Sequence, residues 1–160
     1  MTNMTTLCYL KRGNEYLMLH RIKKESDINA GKWIGIGGHF EFGESPEECM
    51  KREVFEETGF TVTDWKYRGL VTFVSDKSFC EYMHLFIAEG WTGAGHECSE
   101  GVLEWVDIDR LNSLNMWQGD KVFLKLIKKD VPFFSLKLSY SKGDLVEAVL
   151  DGKAIDISLY

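Results

Sequence analysis

The pattern of apolar and polar positions predicts short strands before the first helix of the chain. Apolar stretches at residues 7–10 and 16–20 flank the turn-forming sequence Arg12-Gly13-Asn14, which is typical of a β-hairpin. Residues 26–32 are polar and without period, which predicts a loop. A short strand then begins at residue 33 and runs into a glycine pair, where we expect the chain to turn sharply.

The clearest boundary in the sequence is the start of the first helix. Ser45 is a good N-cap residue, Pro46 suits the first helical position, and Glu48 stands three residues after the cap. We therefore predict a helix from Pro46 to about Thr58. Gly59 is placed to adopt the left-handed conformation that closes a helix.

The second half of the chain alternates strands with one more helix. The apolar period of residues 118–129, with lysines between, predicts an amphipathic helix. The remaining elements are strands at 61–62, 69–74, 81–91 and 102–106, a helical turn at 107–112, and a closing hairpin of 133–140 and 145–150. This order predicts the α/β class, with helices on both sides of a mixed β-sheet in one domain spanning residues 1–160.

Amino-acid composition and net charge limit the kinds of molecule that this protein is expected to bind. The 160 residues are 44% hydrophobic, as in ordinary globular proteins, and 19 basic against 25 acidic side chains give a net charge of −6. This charge argues against a nucleic-acid partner and implies that a phosphate-bearing ligand needs a bridging cation. The sequence has no apolar run long enough to span a bilayer and its four cysteines form no CxxC pair, so we expect a cytoplasmic protein without membrane contact. Monomer and homodimer both remain open.

The predicted first helix carries an unusual acidic face. At 100° per residue, Glu53, Glu56 and Glu57 fall within about 100° of arc, and no lysine lies on that face. Arg52 sits at its margin, where it can orient a carboxylate. One interpretation is a solvated acidic face. The other, which we favour, is a site for a hard divalent cation, Mg²⁺ or Mn²⁺, because the ligands are oxygen atoms without His or Cys.

A cation held by these glutamates supplies the bridge to phosphate that the net charge requires. A metal-bound water beside a free glutamate is then a competent nucleophile. The glycines Gly35, Gly37 and Gly38 before the helix permit close backbone approach, either to hold a ligand or to turn the chain.

These residues follow a known spacing. Gly38, Glu44, the triplet 52–54 (Arg-Glu-Val), the pair 56–57 (Glu-Glu) and the pair 59–60 (Gly-Phe) match the Nudix box at every defined position. The chain therefore resembles the MutT-like Nudix hydrolases. The resemblance implies a Nudix fold, an α/β/α sandwich around a mixed β-sheet, and Mg²⁺-dependent hydrolysis of a nucleoside diphosphate linked to another group.

The resemblance also assigns roles to residues. It implies metal ligation by Glu53, Glu56, Glu57 and Gly38, with one glutamate able to act as base. Glu44 and Arg52 would fix the loop and orient a glutamate. Gly37 and Gly38 are implied as substrate contacts.

The carboxy-terminal half is similar to hydrolases of oxidised purine nucleoside triphosphates. By that similarity Glu100 approaches the metal, Trp117 stacks on the purine, Asp120 hydrogen-bonds its edge, and Phe73 lines the base pocket. Two positions depart from the pattern, because Gly119 replaces one of two paired acids and Ile34 replaces an asparagine that reads the base. Each of these two residues also has a purely structural interpretation. Trp117 can be a core aromatic that anchors the second helix, and Asp120 can be a carboxylate favoured at a helix N-terminus.

We therefore expect a hydrolase that converts a purine (deoxy)nucleoside triphosphate, such as 8-oxo-dGTP, to monophosphate and pyrophosphate. Two alternatives remain open: hydrolysis of another nucleoside diphosphate derivative, and a Nudix domain that senses a nucleotide without cleaving it. The proline some 16 residues beyond the box that marks ADP-ribose hydrolases is absent, since the only prolines are Pro46 and Pro132.

Overall fold

A mixed β-sheet between two α-helices forms the centre of the computed structural model, which describes residues 2–23, 27–76 and 78–160. Ser26, the first residue of the predicted loop, lies outside the described residues. The strands are β1 (Thr2–Arg12), β2 (Glu15–His20), β3 (Trp33–Ile34), β4 (Ile36–His39), β5 (Thr61–Ser75), β6 (Phe79–Thr92), β7 (Val102–Asp107), β8 (Phe134–Ser141), β9 (Asp144–Leu150) and β10 (Lys153–Ala154). The helices are α1 (Pro46–Thr58) and α2 (Gln118–Lys128), with 3₁₀ turns at Ile108–Ser113 and Ile157–Leu159.

The strand order explains how the two helices come to flank one sheet. The strands run in the order β10-β9-β8-β5-β6-β1, with β4 also paired to β1. The pairs β1–β6 and β5–β8 are parallel and the others are antiparallel, so the sheet is mixed as predicted. The first hairpin continues from β1 into β2, which pairs with β3 and β7.

Both faces of the central strands are buried. On β6, Leu85 and Ile87 point into the cluster that contains the apolar residues of α2, whereas Phe86 and Ala88 point into the cluster that contains Met50 and Val54 of α1. Alternate side chains of a strand lie on opposite faces of a sheet, so this stretch reads as a continuous apolar run. The core therefore has two layers, one under each helix.

The predicted ends of α1 are confirmed. The Ser45 side chain accepts a hydrogen bond from the Glu48 N–H at 3.2 Å, and the Glu48 carboxylate accepts one from the Ser45 N–H at 2.7 Å. Gly59 closes the helix with φ +80°, and its N–H donates to the Phe55 carbonyl. Because each cap uses only neighbouring residues, the local sequence was sufficient to predict it.

Several strands are longer than their apolar patterns indicated. β1 begins at Thr2, and β5 is continuous from Thr61 to Ser75, although the pattern predicted two separate pieces at 61–62 and 69–74. Along β5 the register against β6 shifts at three places between residues 62 and 69, which breaks the regular alternation. Hydrogen bonds to β6 therefore hold residues 61–75 in one strand, although the apolar alternation of β5 is interrupted between residues 62 and 69.

The expected sharp turn at the glycine pair is wrong. Gly37 and Gly38 belong to β4 and pair antiparallel with Thr6 and Leu7 of β1. A Cβ atom at Gly37 would overlap the carbonyl oxygen of Thr6, so glycine is required here for close approach of two strands. The short β10 and the last 3₁₀ turn were also not predicted.

Two further observations concern the chain as a whole. All four cysteines are free, and three of them are buried. Among the helices of the described ranges, none combines the length and apolar character needed to cross a membrane.

Candidate functional site

A cavity of about 520 Å³ opens between β1, β4, β6 and the segment that leads into α2. The acidic face of α1 lines one end of the cavity, and aromatic side chains line the other end. The cavity wall includes most of the site residues expected from the sequence: Gly37, Gly38, Glu53, Glu57, Phe73, Glu100, Trp117 and Asp120.

Strand β4 lies directly against the glutamates of α1. The Gly37 N–H donates a hydrogen bond to the Glu57 carboxylate at 3.2 Å. A Cβ atom at Gly38 would stand 2.5 Å from the carboxyl carbon of Glu53. The glycines therefore bring the strand backbone next to the two carboxylates, and a side chain at Gly38 would push Glu53 away.

Arg52 connects the acidic residues of α1 with the loop before it. Its guanidinium donates to both carboxylate oxygens of Glu44 at 2.5 and 2.9 Å, and to Glu53 at 2.8 Å. The same side chain donates to the His39 carbonyl at 3.0 Å. The hydrogen bonds from Arg52 lower the pKa of Glu44 to about 2, so Glu44 is a permanent carboxylate. Arg52 thus fixes the orientation of Glu53 relative to β4.

Glu57 is the most deeply buried acid of the helix, with 9% of its surface exposed. Burial, together with the nearby charges of Glu100 and Glu53, raises its pKa to about 9. Burial also raises the pKa of Glu53. These carboxyl groups are close enough to disfavour one another's charge, and a divalent cation would relieve that repulsion.

Glu100 reaches the cavity from the segment before β7 and is held there by Arg21. The guanidinium of Arg21 contacts the Glu100 carboxylate at 2.5 Å and the Asp27 carboxylate at 2.6 Å. Neither Arg21 nor Asp27 was predicted from the sequence as a site residue. Arg21 precedes Glu100 by 79 residues, and no local motif connects the two.

Glu56 shares the Arg52 guanidinium with Glu53 but lies outside the cavity wall. Its side chain is 55% exposed, contacts Arg52 at 3.3 Å and does not line the cavity. Of the three carboxylates on this helix face, Glu53 and Glu57 line the cavity and Glu56 lies at its rim, so metal ligation by Glu56 stays a prediction. Within the described ranges, no three His, Cys, Asp or Glu side chains already stand around a common point as metal ligands.

The donor chemistry nevertheless fits a hard cation. Glu53, Glu57 and Glu100 contribute only oxygen ligands, and repulsion between their carboxyls raises the pKa of Glu57. Arg52 donates a hydrogen bond to Glu53, and Arg21 donates one to Glu100, so two of the three carboxylates are held by arginine side chains.

The other end of the cavity is aromatic. Trp117 packs edge-to-face against Phe73 and Tyr140, with ring centroids 5.4 and 5.2 Å away. Its indole N–H donates to the Asn29 side chain at 2.7 Å, and the Lys32 ammonium lies 4.6 Å from the ring centroid. The Trp117 ring therefore packs against the core on one side and lines the cavity on the other. The Lys32 ammonium lies over one ring face, so a flat ligand can stack on that face only if the ammonium moves.

Asp120 is almost fully buried, at 5% exposure, near the base of this aromatic end. Burial and the charge of Glu81, partly offset by Lys32, raise its pKa to about 8. A Cβ atom at Gly119 would lie 2.5 Å from a Leu138 methyl carbon. This contact explains in physical terms why no second acid stands beside Asp120.

The sequence analysis also missed three cavity residues of β6: Phe79, Glu81 and Met83. A signal was present in the alternation of the strand. Positions 79, 81, 83, 85 and 87 share a face, and Glu81 is the only polar residue among them. An acid on an otherwise apolar strand face is an indication of a functional position.

Comparisons with known proteins agree with this geometry. Residues 1–127 match the NUDIX domain family. The oxidized purine nucleoside triphosphate hydrolase of Danio rerio is 30% identical over 130 residues, which cover 80% of this chain and 83% of that protein. The uncharacterized Nudix hydrolase YvcI of Bacillus subtilis (strain 168) is 32% identical over 129 residues, 78% of each chain. The crystal structure of a MutT protein from Bacillus halodurans covers 94% of this chain and 99% of its own, with a TM-score of 0.83 and 27% identity.

Proposed function

The chain belongs to the NUDIX family, and from that premise we propose that it is a Mg²⁺-dependent pyrophosphohydrolase of purine (deoxy)nucleoside triphosphates. The predicted Nudix fold and α/β class are confirmed by the likeness to the MutT structure. The family consists of hydrolases that act on nucleoside phosphate anhydrides and generally use divalent metal ions. The proposed products are a nucleoside monophosphate and pyrophosphate.

One observation carries this proposal: a single cavity joins the carboxylates Glu53, Glu57 and Glu100 to the aromatic end with Trp117 and Asp120. A triphosphate needs cationic neutralisation of its phosphates, and its base needs an apolar surface with a few polar groups. The cavity offers both at opposite ends.

At the acidic end we assign the metal to Glu53, Glu57 and Glu100, with Glu56 at the rim and the Gly38 backbone beside Glu53. A bound Mg²⁺ would neutralise phosphate charge and lower the pKa of a water molecule. The Gly37 N–H holds one oxygen of Glu57, and Arg52 holds Glu53, so both carboxylates are oriented before substrate arrives. Glu44 keeps Arg52 in place through two hydrogen bonds.

At the aromatic end we assign the base to the face of Trp117, next to Phe73. The raised pKa of Asp120, about 8, keeps this carboxyl protonated at neutral pH. A protonated carboxyl donates one hydrogen bond and accepts others, so Asp120 can pair with a ring edge that carries both kinds of group. The named activity of the Danio rerio relative, on oxidized purine nucleoside triphosphates, supports a purine substrate.

A nucleotide panel with Mg²⁺ tests this proposal. The panel contains dGTP, 8-oxo-dGTP, dATP, ADP-ribose and dihydroneopterin triphosphate, and release of pyrophosphate or phosphate is measured with and without a chelator. We expect pyrophosphate from purine triphosphates only in the presence of the metal. Turnover confined to ADP-ribose would overturn the substrate class, and binding without turnover would indicate a nucleotide-sensing domain.

Two variants give the panel its controls. Glu53→Gln keeps the size of the side chain but removes a proposed metal ligand, so activity is expected to fall by about 100-fold or more. Glu147→Gln changes an exposed glutamate of β9 outside the cavity and is expected to keep wild-type activity. Equal activity of the two variants would remove Glu53 from the site.

A further inference from the structure

We propose that Glu81 is a second base-reading carboxyl, which acts with Asp120 to select a purine whose ring edge offers two neighbouring N–H donors, as guanine does. This inference rests on the proposed function and refines it, because it concerns the base end of the same cavity. It assigns a specificity-determining role to a residue on β6, far from the sequence motif of α1.

The position of Glu81 is the first argument. It shares its strand face with Phe79, Met83, Leu85 and Ile87, all of which belong to or pack against the core cluster under α2. A carboxyl group on such a face costs stability unless it has a compensating partner. A hydrogen bond with Thr5 and the charge of His39 favour the Glu81 carboxylate, but burial outweighs them and its pKa is raised, so the fold compensates this acid only in part and a ligand explains it best.

The relation of Glu81 to Asp120 is the second argument. Both residues line the cavity, and the charge of Glu81 raises the pKa of Asp120. Burial raises the pKa of Glu81 too, against the lowering effects of His39 on β4 and of a hydrogen bond with Thr5 on β1. The other groups that face Asp120 are Lys32 and the phenols of two tyrosines, Tyr9 on β1 and Tyr140 on β8. The two carboxyls therefore line the same cavity, and the charge of Glu81 acts on Asp120.

The structure also shows why the second carboxyl comes from β6. Next to Asp120, position 119 has no space for a side chain, since a Cβ atom there would meet Leu138 at 2.5 Å and the Tyr140 hydroxyl at 2.6 Å. The Tyr140 hydroxyl instead accepts the Gly119 N–H at 2.6 Å. Helix α2 can thus provide one acid to this pocket, and Glu81 of β6 provides the other.

A protonated Asp120 and a second carboxyl from Glu81 present one O–H donor and several acceptor oxygens. Guanine has the complementary edge, with the O6 acceptor next to the N1–H and 2-amino donors. Hypoxanthine lacks the 2-amino group, and adenine offers its 6-amino group beside an N1 acceptor. A base that cannot hydrogen-bond to one of the two carboxyls binds less well, because that carboxyl loses its contact with water and gains no hydrogen bond in return. The pair therefore reads the 2-amino side of the purine and is indifferent to oxidation at C8.

The test compares dGTP with dITP, which differ only in the 2-amino group. Steady-state kcat/KM is measured for wild type, Glu81→Gln and Asp120→Asn. We expect wild type to prefer dGTP by about tenfold or more, and Glu81→Gln to lower kcat/KM for dGTP about tenfold through KM while changing dITP less than about threefold. Glu89→Gln, also on β6 but exposed and outside the cavity, is the matched control and is expected to keep the wild-type ratio.

A double variant tests whether the two carboxyls act as a pair. If they do, Glu81→Gln combined with Asp120→Asn costs dGTP hydrolysis less than the two single losses multiplied together. Glu81→Met restores the apolar character of its strand face, so it provides a folded variant if thermal unfolding shows that Glu81→Gln is unstable.

The outcomes separate this inference from the proposed function. An unchanged dGTP to dITP ratio in both Glu81 variants, with normal turnover, overturns the role of Glu81 and leaves the proposed function intact. If wild type hydrolyses no triphosphate, the proposed function fails. In that case calorimetric binding of dGMP and dIMP tests Glu81 directly: the same loss of guanine preference supports the inference and an equal affinity of wild type for both refutes it.

Discussion

Replacing Glu57 with glutamine is expected to make the metal-free protein more stable while removing its activity. The pKa of Glu57 is raised from 4.5 to about 9, chiefly by burial. The native state therefore binds a proton that the unfolded state releases. The stability associated with this proton is complete below about pH 4.5 and is lost progressively as the pH rises towards 9. Glutamine has no proton to lose, and its side-chain oxygen can still accept the Gly37 N–H.

The size of the effect follows from the pH window. About three pH units separate the ordinary carboxyl pKa from pH 7.5, and each unit corresponds to about 1.4 kcal/mol, which sets an upper limit of about 4 kcal/mol. Water penetration and relaxation reduce this value in real proteins, so we expect a gain of about 2 kcal/mol. In a domain of this size, that gain raises Tm by about 4–8 °C.

Thermal unfolding in the presence of a chelator measures this gain. The difference between Glu57→Gln and wild type is expected to be small near pH 5 and to increase up to about pH 8. Glu56→Gln, on the same helix but largely exposed, is the control and is expected to change Tm little at either pH. Added Mg²⁺ is expected to stabilise wild type more than Glu57→Gln. A variant no more stable than wild type, or a gain independent of pH, would refute the assigned burial and charge of Glu57.

Three further substitutions test other parts of the site. Gly38→Ala places a Cβ atom 2.5 Å from the Glu53 carboxyl carbon, so kcat is expected to fall at least about tenfold, and an unchanged kcat would contradict the close approach. Arg52→Lys loses the two-point contact with Glu44, and chemical denaturation is expected to show a loss of about 1–2 kcal/mol together with lower kcat. Trp117→Ala is expected to raise KM for purine triphosphates about tenfold, whereas an unchanged KM would assign the ring to the core.

The parts of the molecule that depend on neighbouring residues were predictable from the sequence. The caps of α1 use Ser45, Glu48 and Gly59, and the spacing of the box identified the glutamates that face the cavity. The position of Glu56 was less predictable. Helical geometry placed Glu56 on the acidic face. Its position at the rim depends on where the cavity opens relative to the helix and on the contact with Arg52, neither of which the helical period contains.

The remaining parts depend on contacts between distant segments. The role of Gly37 follows from its approach to Thr6 on another strand, and the placement of Glu100 depends on Arg21. Apolar periodicity does not record such contacts, which is why the glycine pair was interpreted as a turn. Glu81 is a different case, because its strand face is otherwise apolar and the sequence already contained that signal.

The products of dGTP hydrolysis test the central claim most directly. Wild type and Glu57→Gln are incubated with dGTP and Mg²⁺, and the products are separated and quantified. We predict equal amounts of dGMP and pyrophosphate from wild type, none when the metal is chelated, and a rate at least about 100-fold lower for Glu57→Gln. Formation of dGDP and phosphate, or near-normal activity of Glu57→Gln, would contradict the proposed site.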